Sequence, residues 1–193
     1  MTNSSATGGP LLPTSPPPAD DDALQALLQG LVADMTGLAG AMVRPRWPGS
    51  AGTDPDISTN WCAIGLTDSA PDAGPVILHQ SAGDGAEAMQ RHETLTVTAS
   101  FYGTAASANA ALLRDGLMLP QNRETIRTAG LAFVESGHAV LAPDLVNQQW
   151  RRKVDVPITF RRQVTRAYPV LNLLSAAGET SADPGPAIAW TTE

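Results

Sequence analysis

Residue types able to do acid–base, nucleophilic or metal chemistry occur in this chain, but their spacing joins none of them into a site. The three histidines, His79, His92 and His138, share no interval that would make a metal-binding face. His92 falls on the polar side of a predicted strand, and the other two fall near turns. Asp20-Asp21-Asp22 offers three adjacent carboxylates, yet neighbouring helix positions point in different directions, so capping of a helix N-terminus is the better reading. Gly83-Asp84-Gly85 lacks the flanking residues of a phosphate loop, and no helix plainly follows it. Ser81 and Ser136 have no histidine and acid that spacing pairs with them. Glu87, Glu93, Asp115 and Glu124 are read as the exposed acids normal on helices and strands. The lone Cys62 excludes a disulfide framework and reads as a small buried side chain. No catalytic, cofactor-binding or metal-ligating residue is assigned, and no enzyme activity or cofactor is expected.

The chemistry that does stand out is electrostatic. Half of the chain's twelve basic residues, Arg151, Arg152, Lys153, Arg161, Arg162 and Arg166, lie in one stretch, Trp150 to Arg166. Trp150, Arg152, Val154, Val156, Ile158, Phe160 and Val164 alternate with Arg151, Lys153, Asp155, Thr159, Arg161, Gln163 and Thr165. This period of two predicts a long strand, about 50 Å if continuous, with a dry and a wet face. Pro157 lacks a ladder donor, so an edge position or a bulge is expected there. Both interrupting aromatics, Trp150 and Phe160, fall on the dry face by this phase. Base stacking is therefore not expected, and the six basic residues, Arg151, Arg152, Lys153, Arg161, Arg162 and Arg166, are read as a protein–protein contact surface, with a solvated polar face as the alternative. Reversing Arg161 and Arg162 is expected to stop assembly.

The elements around this strand read in order as follows. Leu24, Leu27, Leu28, Leu31, Val32, Met35 and Leu38 make an amphipathic helix, weakened by Gly30 and Gly37 and closed at Gly40. Trp61–Leu66 reads as a short buried strand, Thr67–Gly74 as turns, Val76–Leu78 as a possible strand and 79–90 as an open loop. Leu95, Val97, Ala99 and Phe101 mark the dry side of a strand over Arg91–Tyr102. Thr104 then caps a helix to Leu117, and a second helix covers Gln121–Ala129. Leu131–Val134 and Ala139–Leu141 read as short strands or a strand and a turn, and Tyr168–Leu174 as a segment that extends or re-pairs the sheet. The fold class is α+β: a small mixed or antiparallel sheet with about three helices.

Composition sets the outer limits. With 193 residues, 42% hydrophobic, the chain suits one ordinary domain. Residues 1–19 are a Pro/Ser/Gly-rich flexible arm, 20–174 the domain and 175–193 a flexible tail. Pro16-Pro17-Pro18 favours local polyproline II, read as a spacer, while Trp190 is an anchor for a partner pocket or an unattached aromatic. The net charge of −7 argues against a general nucleic-acid binder. No apolar run is long enough for a membrane span, and neither a membrane partner nor a cleaved leader is expected.

Several segments taken together carry a resemblance. They are Arg44-Pro45-Arg46-Trp47-Pro48; Trp61-Cys62-Ala63-Ile64-Gly65; Arg91-His92-Glu93-Thr94-Leu95 through Ser100-Phe101-Tyr102-Gly103; Leu113–Leu117; Pro120–Glu124; and Leu145–Asp155. In order and spacing, over about residues 42–174, the chain resembles the neck terminator, or tail-completion, proteins of tailed bacteriophages. The resemblance implies a structural virion protein at the head-proximal end of the tail, made in the bacterial host cytoplasm. It implies a ring, usually six-fold, that caps the tail tube and joins it to the head-side connector. Partners implied are further copies of the chain, head-side adaptor or portal proteins and the tail tube protein. Genomic DNA passes through without sequence-specific binding. The resemblance carries over no catalytic residue, and it leaves both termini unmatched. A head–tail adaptor or tail-tube subunit is the alternative, and an enzyme a more distant one.

Overall fold

The computed structural model describes residues 3–50, 52–181 and 185–192. In chain order its elements are α1 (Asp21–Thr36), β1 (Val43–Pro45), β2 (Trp61–Pro71), β3 (Val76–Gln80), β4 (Ala86–Tyr102), α2 (Ala106–Met118), α3 (Glu124–Thr128), β5 (Leu131–Ser136), β6 (Val140–Leu141), β7 (Asp144–Val146), β8 (Gln149–Arg151), β9 (Lys153–Tyr168), β10 (Ala176–Thr180) and β11 (Ile188–Thr192). The fold is α+β, with three α-helices and a mixed sheet among the described residues. The chain divides into a larger unit, Pro17–Pro75 with Arg91–Val164, and a smaller one from Met1–Pro16, Val76–Gln90 and Thr165–Glu193.

In the larger unit the strands run β1-β2-β4-β9-β5, with β6 also on β9. β1 is parallel to β2, while β2–β4 and β5–β9 are antiparallel. Leu95, Val97, Ala99 and Phe101 of β4 and Val154, Val156, Ile158 and Phe160 of β9 point from one face into a single core. Leu24, Leu28, Leu31 and Val32 of α1, Ala110, Leu113 and Leu117 of α2 and Ile126 of α3 fill it. The strand period of two and the helix period of 3.6 thus meet across one dry layer. Cys62 is fully buried within it, and burial pushes its thiol pKa up.

Helix boundaries depart from expectation in instructive ways. Asp20 occupies the cap position of α1, but its side chain makes no cap hydrogen bond; its carboxylate is taken by Arg162. The helix closes one turn earlier than Gly40, at Gly37, which has φ +71 and donates to the Ala33 carbonyl. Gly40 instead opens a short 3-10 turn. Thr104 does not cap α2. The acceptor is Asn60 Oδ1, which takes the Ala105 N–H at 2.7 Å across 45 residues of sequence. The expected helix over Gln121–Ala129 splits into a 3-10 turn, Gln121–Arg123, and the short α3.

The strands correct the reading more. β2 continues through Thr67–Pro71, which had read as turns, because it pairs with β4 as far as Pro71↔Glu93 after a bulge between Leu66 and Asp68. β9 is not an edge strand. It lies between β4 and β5/β6, and Pro157 sits where the second neighbour changes from β5 to β6. The Pro157 carbonyl accepts from Gly137 N–H at 2.8 Å. A strand residue's amide and carbonyl point to the same side, so the missing donor falls at this interruption. Nor is the strand continuous from Trp150: β8 ends at Arg151 and β9 starts at Lys153.

The smaller unit contains a hairpin where an open loop was expected. β3 pairs with the first residues of β4, from Val76↔Gln90 to Gln80↔Ala86. Its turn uses Gly83 (φ +62) and Gly85 (φ +93) and is held by Asn172, whose Nδ2 donates to the Ser81 and Gly83 carbonyls at 3.0 Å each. His79 spends a ring nitrogen on Asn172 Oδ1 at 2.8 Å. Thr14 N–H donates to the Ala167 carbonyl at 2.8 Å, and Ser5 N–H to that of Pro169 at 3.1 Å. Within 175–193, β10 and β11 pair antiparallel, with Trp190 opposite Gly178. No helix is long and apolar enough to cross a membrane among the described residues.

Candidate functional site

The six basic residues do not form one patch. Successive strand residues point to opposite faces, and the structure distributes them accordingly. Arg162 points to the helix side. Its Nε donates to Glu93 Oε1 at 2.5 Å, Nη1 to the Ala19 carbonyl at 2.7 Å and Nη2 to Asp20 Oδ1. Glu93, only 3% exposed, is also held by Arg91 at 3.2 Å. It had read as an ordinary exposed acid. Burial lowers the Arg162 pKa, but the hydrogen bonds it donates to Asp20 and Glu93 and their charges outweigh it, leaving the guanidinium above its ordinary value. Arg161 pairs with Asp72, and Arg152 is exposed, with Nη1 donating to the Thr104 carbonyl at 3.2 Å. Arg166 is half-buried in the smaller unit.

The helix-free face of the larger unit carries a continuous polar chain. Arg46 Nη1 donates to Ser100 Oγ at 2.6 Å, and Ser100 Oγ donates to Asp155 Oδ1 at 2.5 Å. Lys153 Nζ lies 3.3 Å from Asp155 and 4.0 Å from Asp144. Arg151 then joins Asp144 at 3.3 Å to Asp54 at 2.8 Å. Arg151 is 7% exposed because its guanidinium lies over Tyr102, 4.6 Å from the ring centroid, and Tyr102 stacks on Trp61 at 4.2 Å. Burial lowers the Arg151 pKa, yet Asp54 and Asp144 together raise it above the usual value; burial pushes the Tyr102 phenol up. Arg46 and Trp47, following β1, pass close over β2. A Cβ at Gly65 would lie 2.9 Å from Arg46 Cβ and 3.3 Å from the Trp47 ring, so this crossing needs a glycine. Between this segment and the sheet is a cleft of about 580 Å³ lined by Arg44, Arg46, Trp47, Trp61, Tyr102 and Arg151, among others.

A second surface was missed by sequence reasoning. Val134 of β5, Val140 and Leu141 of β6, Leu145 of β7 and Trp150 of β8 are all exposed, Leu141 at 72% and Trp150 at 70%. β5 and β6 each pair only with β9 among the described residues, so their outer edge is unpaired. Exposed apolar side chains along an open edge are what a monomeric surface avoids and a contact surface uses. Trp150 had been placed on the dry face. Instead it pairs across the β7–β8 hairpin with Leu145, outside the core. The hairpin turns on Asn147 (φ +48) and Gln148 (φ +62), and both positive angles favour glycine or asparagine. Gln148→Gly is therefore expected to stabilise the chain by about 0.5 kcal/mol, raising Tm by about two degrees in a calorimetric scan.

Catalytic candidates stay apart. His92 and His138 are exposed. Among the described residues, no group of three or more His, Cys, Asp or Glu side chains is placed to hold a metal. A family model described as "Phage neck terminator protein" matches residues 21–183, from the first residue of α1 into the C-terminal segment. A search of curated proteins gives no match. The match spans most of the 193 residues and includes every helix and the whole seven-stranded sheet, so the chain belongs to the phage neck terminator family, structural proteins of the virion neck.

Proposed function

We propose that copies of this chain close into a ring, usually six-fold in this family's resemblance, that caps the tail tube and joins it to the head-side connector. The supporting observation is a set of exposed apolar side chains: Val134, Val140 and Leu141 on the unpaired β5–β6 edge, and Leu145 and Trp150 on the separate β7–β8 hairpin. A contact between unlike surfaces, repeated by rotation, closes a ring. In this reading the β5–β6 edge and the β7–β8 hairpin of one copy seat on the next. Arg152 lines a shallow pocket with Trp150 and joins that surface. Arg166, in the smaller unit, is a separate contact toward acidic partners, while Arg151, Lys153, Arg161 and Arg162 hold the chain's own carboxylates. Each chain carries −7, so the assembled ring is acidic and lets DNA pass without adhering.

Leu145→Glu combined with Trp150→Glu places two charges on this surface without touching the core. The expected result is loss of the ring by mass photometry, since buried tryptophans at interfaces carry about 2 kcal/mol or more each. The melting temperature should move by less than about three degrees. Rings of unchanged size would exclude this surface as the contact. In a producing phage, disruption of the gene is expected to leave filled heads separate from tails of irregular length under the electron microscope. Joined particles would exclude the neck role. Unlimited polymerisation of the purified chain into tubes would favour the tube-subunit alternative over a terminator, which stops at one ring.

A further inference from the structure

The cleft on the helix-free face has the chemistry of a polyproline receptor. Trp47 stands 64% exposed at its mouth, and Trp61 and Tyr102 form a stacked pair in its wall. Arg44 and Arg46 lie over the Trp61 and Trp47 rings, each 5.7 Å from the centroid. Among the described residues, two that line the cleft and are more than nine-tenths buried, Trp61 and Arg151, hold enclosed N–H donors, Nε1 and Nε, without a hydrogen-bond partner. Unsatisfied buried donors are costly and call for an acceptor. A polyproline segment is the complementary object. It is already extended, its carbonyls are free, and its prolines contribute no competing donor. Aromatic-lined grooves recognise such segments by packing ring on ring while polar donors take the carbonyls.

The chain itself carries a segment of this kind. Pro10, Pro13 and Pro16 recur at every third residue, followed by Pro17 and Pro18, within an uncharged arm. Polyproline II has three residues per turn, so this spacing puts Pro10, Pro13 and Pro16 along one edge. Pro10 and Pro16 are exposed, while Thr14 and Ser15 hydrogen-bond Ala167 of the same chain and the Pro10 carbonyl accepts from Asn3 Nδ2, contacts that an exchange of the arm has to release. We propose that the cleft receives residues 10–18 of a second copy, an arm exchange between neighbours. This inference rests on the ring reading only in requiring that two copies meet.

The test uses the full chain. One copy carries Leu12→Cys, the other, with a different tag, Ser50→Cys on the cleft lining; native Cys62 is buried and silent. Under mild oxidation a disulfide between the two tags is expected, and it should disappear when Pro10, Pro13 and Pro16 are replaced by alanine. In parallel, a synthetic peptide of residues 8–19 is titrated against the full chain bearing those three alanines, followed by tryptophan fluorescence. Binding is expected, weakened about tenfold by the exposed Trp47→Ala. Absence of the mixed disulfide, with rings intact by mass photometry, overturns the arm exchange and leaves the ring. A glutamate-rich peptide, or a foreign proline-rich one, binding as tightly as the arm peptide overturns it too.

Discussion

Replacing Arg162 with alanine is expected to cost about 3–5 kcal/mol of stability, read as a lower urea midpoint for the transition of the larger unit. One guanidinium here serves three acceptors, Glu93, Asp20 and the Ala19 carbonyl, and so ties β9 to β4 and to the entry of α1. Its removal leaves the Glu93 carboxylate buried with Arg91 alone. Burying a charge whose partner has gone costs more than the pair contributed, because the desolvation remains. Arg162→Glu should be worse, since it sets a second carboxylate against the first. Arg162→Lys should fall between, since a single ammonium cannot match a fork that reaches three acceptors. The double reversal of Arg161 and Arg162, read from sequence as an assembly test, is therefore expected to act at Arg162 through folding. Arg161→Glu alone, at an exposed pair with Asp72, is expected to cost less than about 1 kcal/mol. A loss below about 1 kcal/mol for Arg162→Ala would show that the clamp is not needed.

The dry layer was legible because two periodicities are hard to mistake. Leu24, Leu28, Leu31 and Val32 at helical spacing, and Leu95, Val97, Ala99 and Phe101 at strand spacing, all lie in the core. Where the reading failed, the deciding partner was remote in sequence. Thr104 has the right chemistry to cap α2, but Asn60 arrives from the start of β2 and takes the donor. The 76–90 hairpin hid because its glycine-rich turn reads as an open loop until Asn172 is seen holding it. Pro157 signals an edge, correctly for one strand in isolation; what it met was a neighbour interrupted at Gly137. The basic run shows the limit most plainly. Charge clustered along a strand is divided between two faces by the pleat, and burial of Arg151 and Arg162 follows from carboxylates at positions 20, 54, 93 and 144, which no local pattern announces. The apolar edge was invisible for a related reason. Leu141, Leu145 and Trp150 look like core residues in sequence, and only the folded arrangement shows that they are exposed.

The buried clamp and the exposed edge divide the larger unit. The helix side fixes the fold through packing and one clamped carboxylate. The opposite face and the open edge hold the exposed aromatics and cations. A protein that must be rigid and yet touch several neighbours needs that separation, since a change on the contact side then leaves the core unaltered.

Gly103→Ala is expected to lower stability by about 2–4 kcal/mol, the larger cost at any glycine of the larger unit. Gly103 joins β4 to α2 at φ +98, outside the conformations an L side chain adopts readily. A Cβ there would also run into the Thr59 carbonyl oxygen, a backbone atom that cannot swing aside, and would meet Asn60 Oδ1 at 2.7 Å. Relieving that contact moves Asn60, whose Oδ1 accepts the N–H of Ala105, the cap residue just before α2, so this anchor of the helix start is lost with the turn. Asn60→Ala isolates this share and should cost about 1 kcal/mol. Gly30→Ala is the matched control. It lies exposed in the interior of α1, and an added Cβ meets nothing within 4 Å. There the same methyl group reduces the entropy of the unfolded chain and should stabilise by about 0.5–1 kcal/mol. Opposite signs for one substitution at two glycines, measured by urea melts side by side, are the expected outcome. If Gly103→Ala proved neutral, the β4–α2 junction would have to adopt a negative φ and a different path past Thr59.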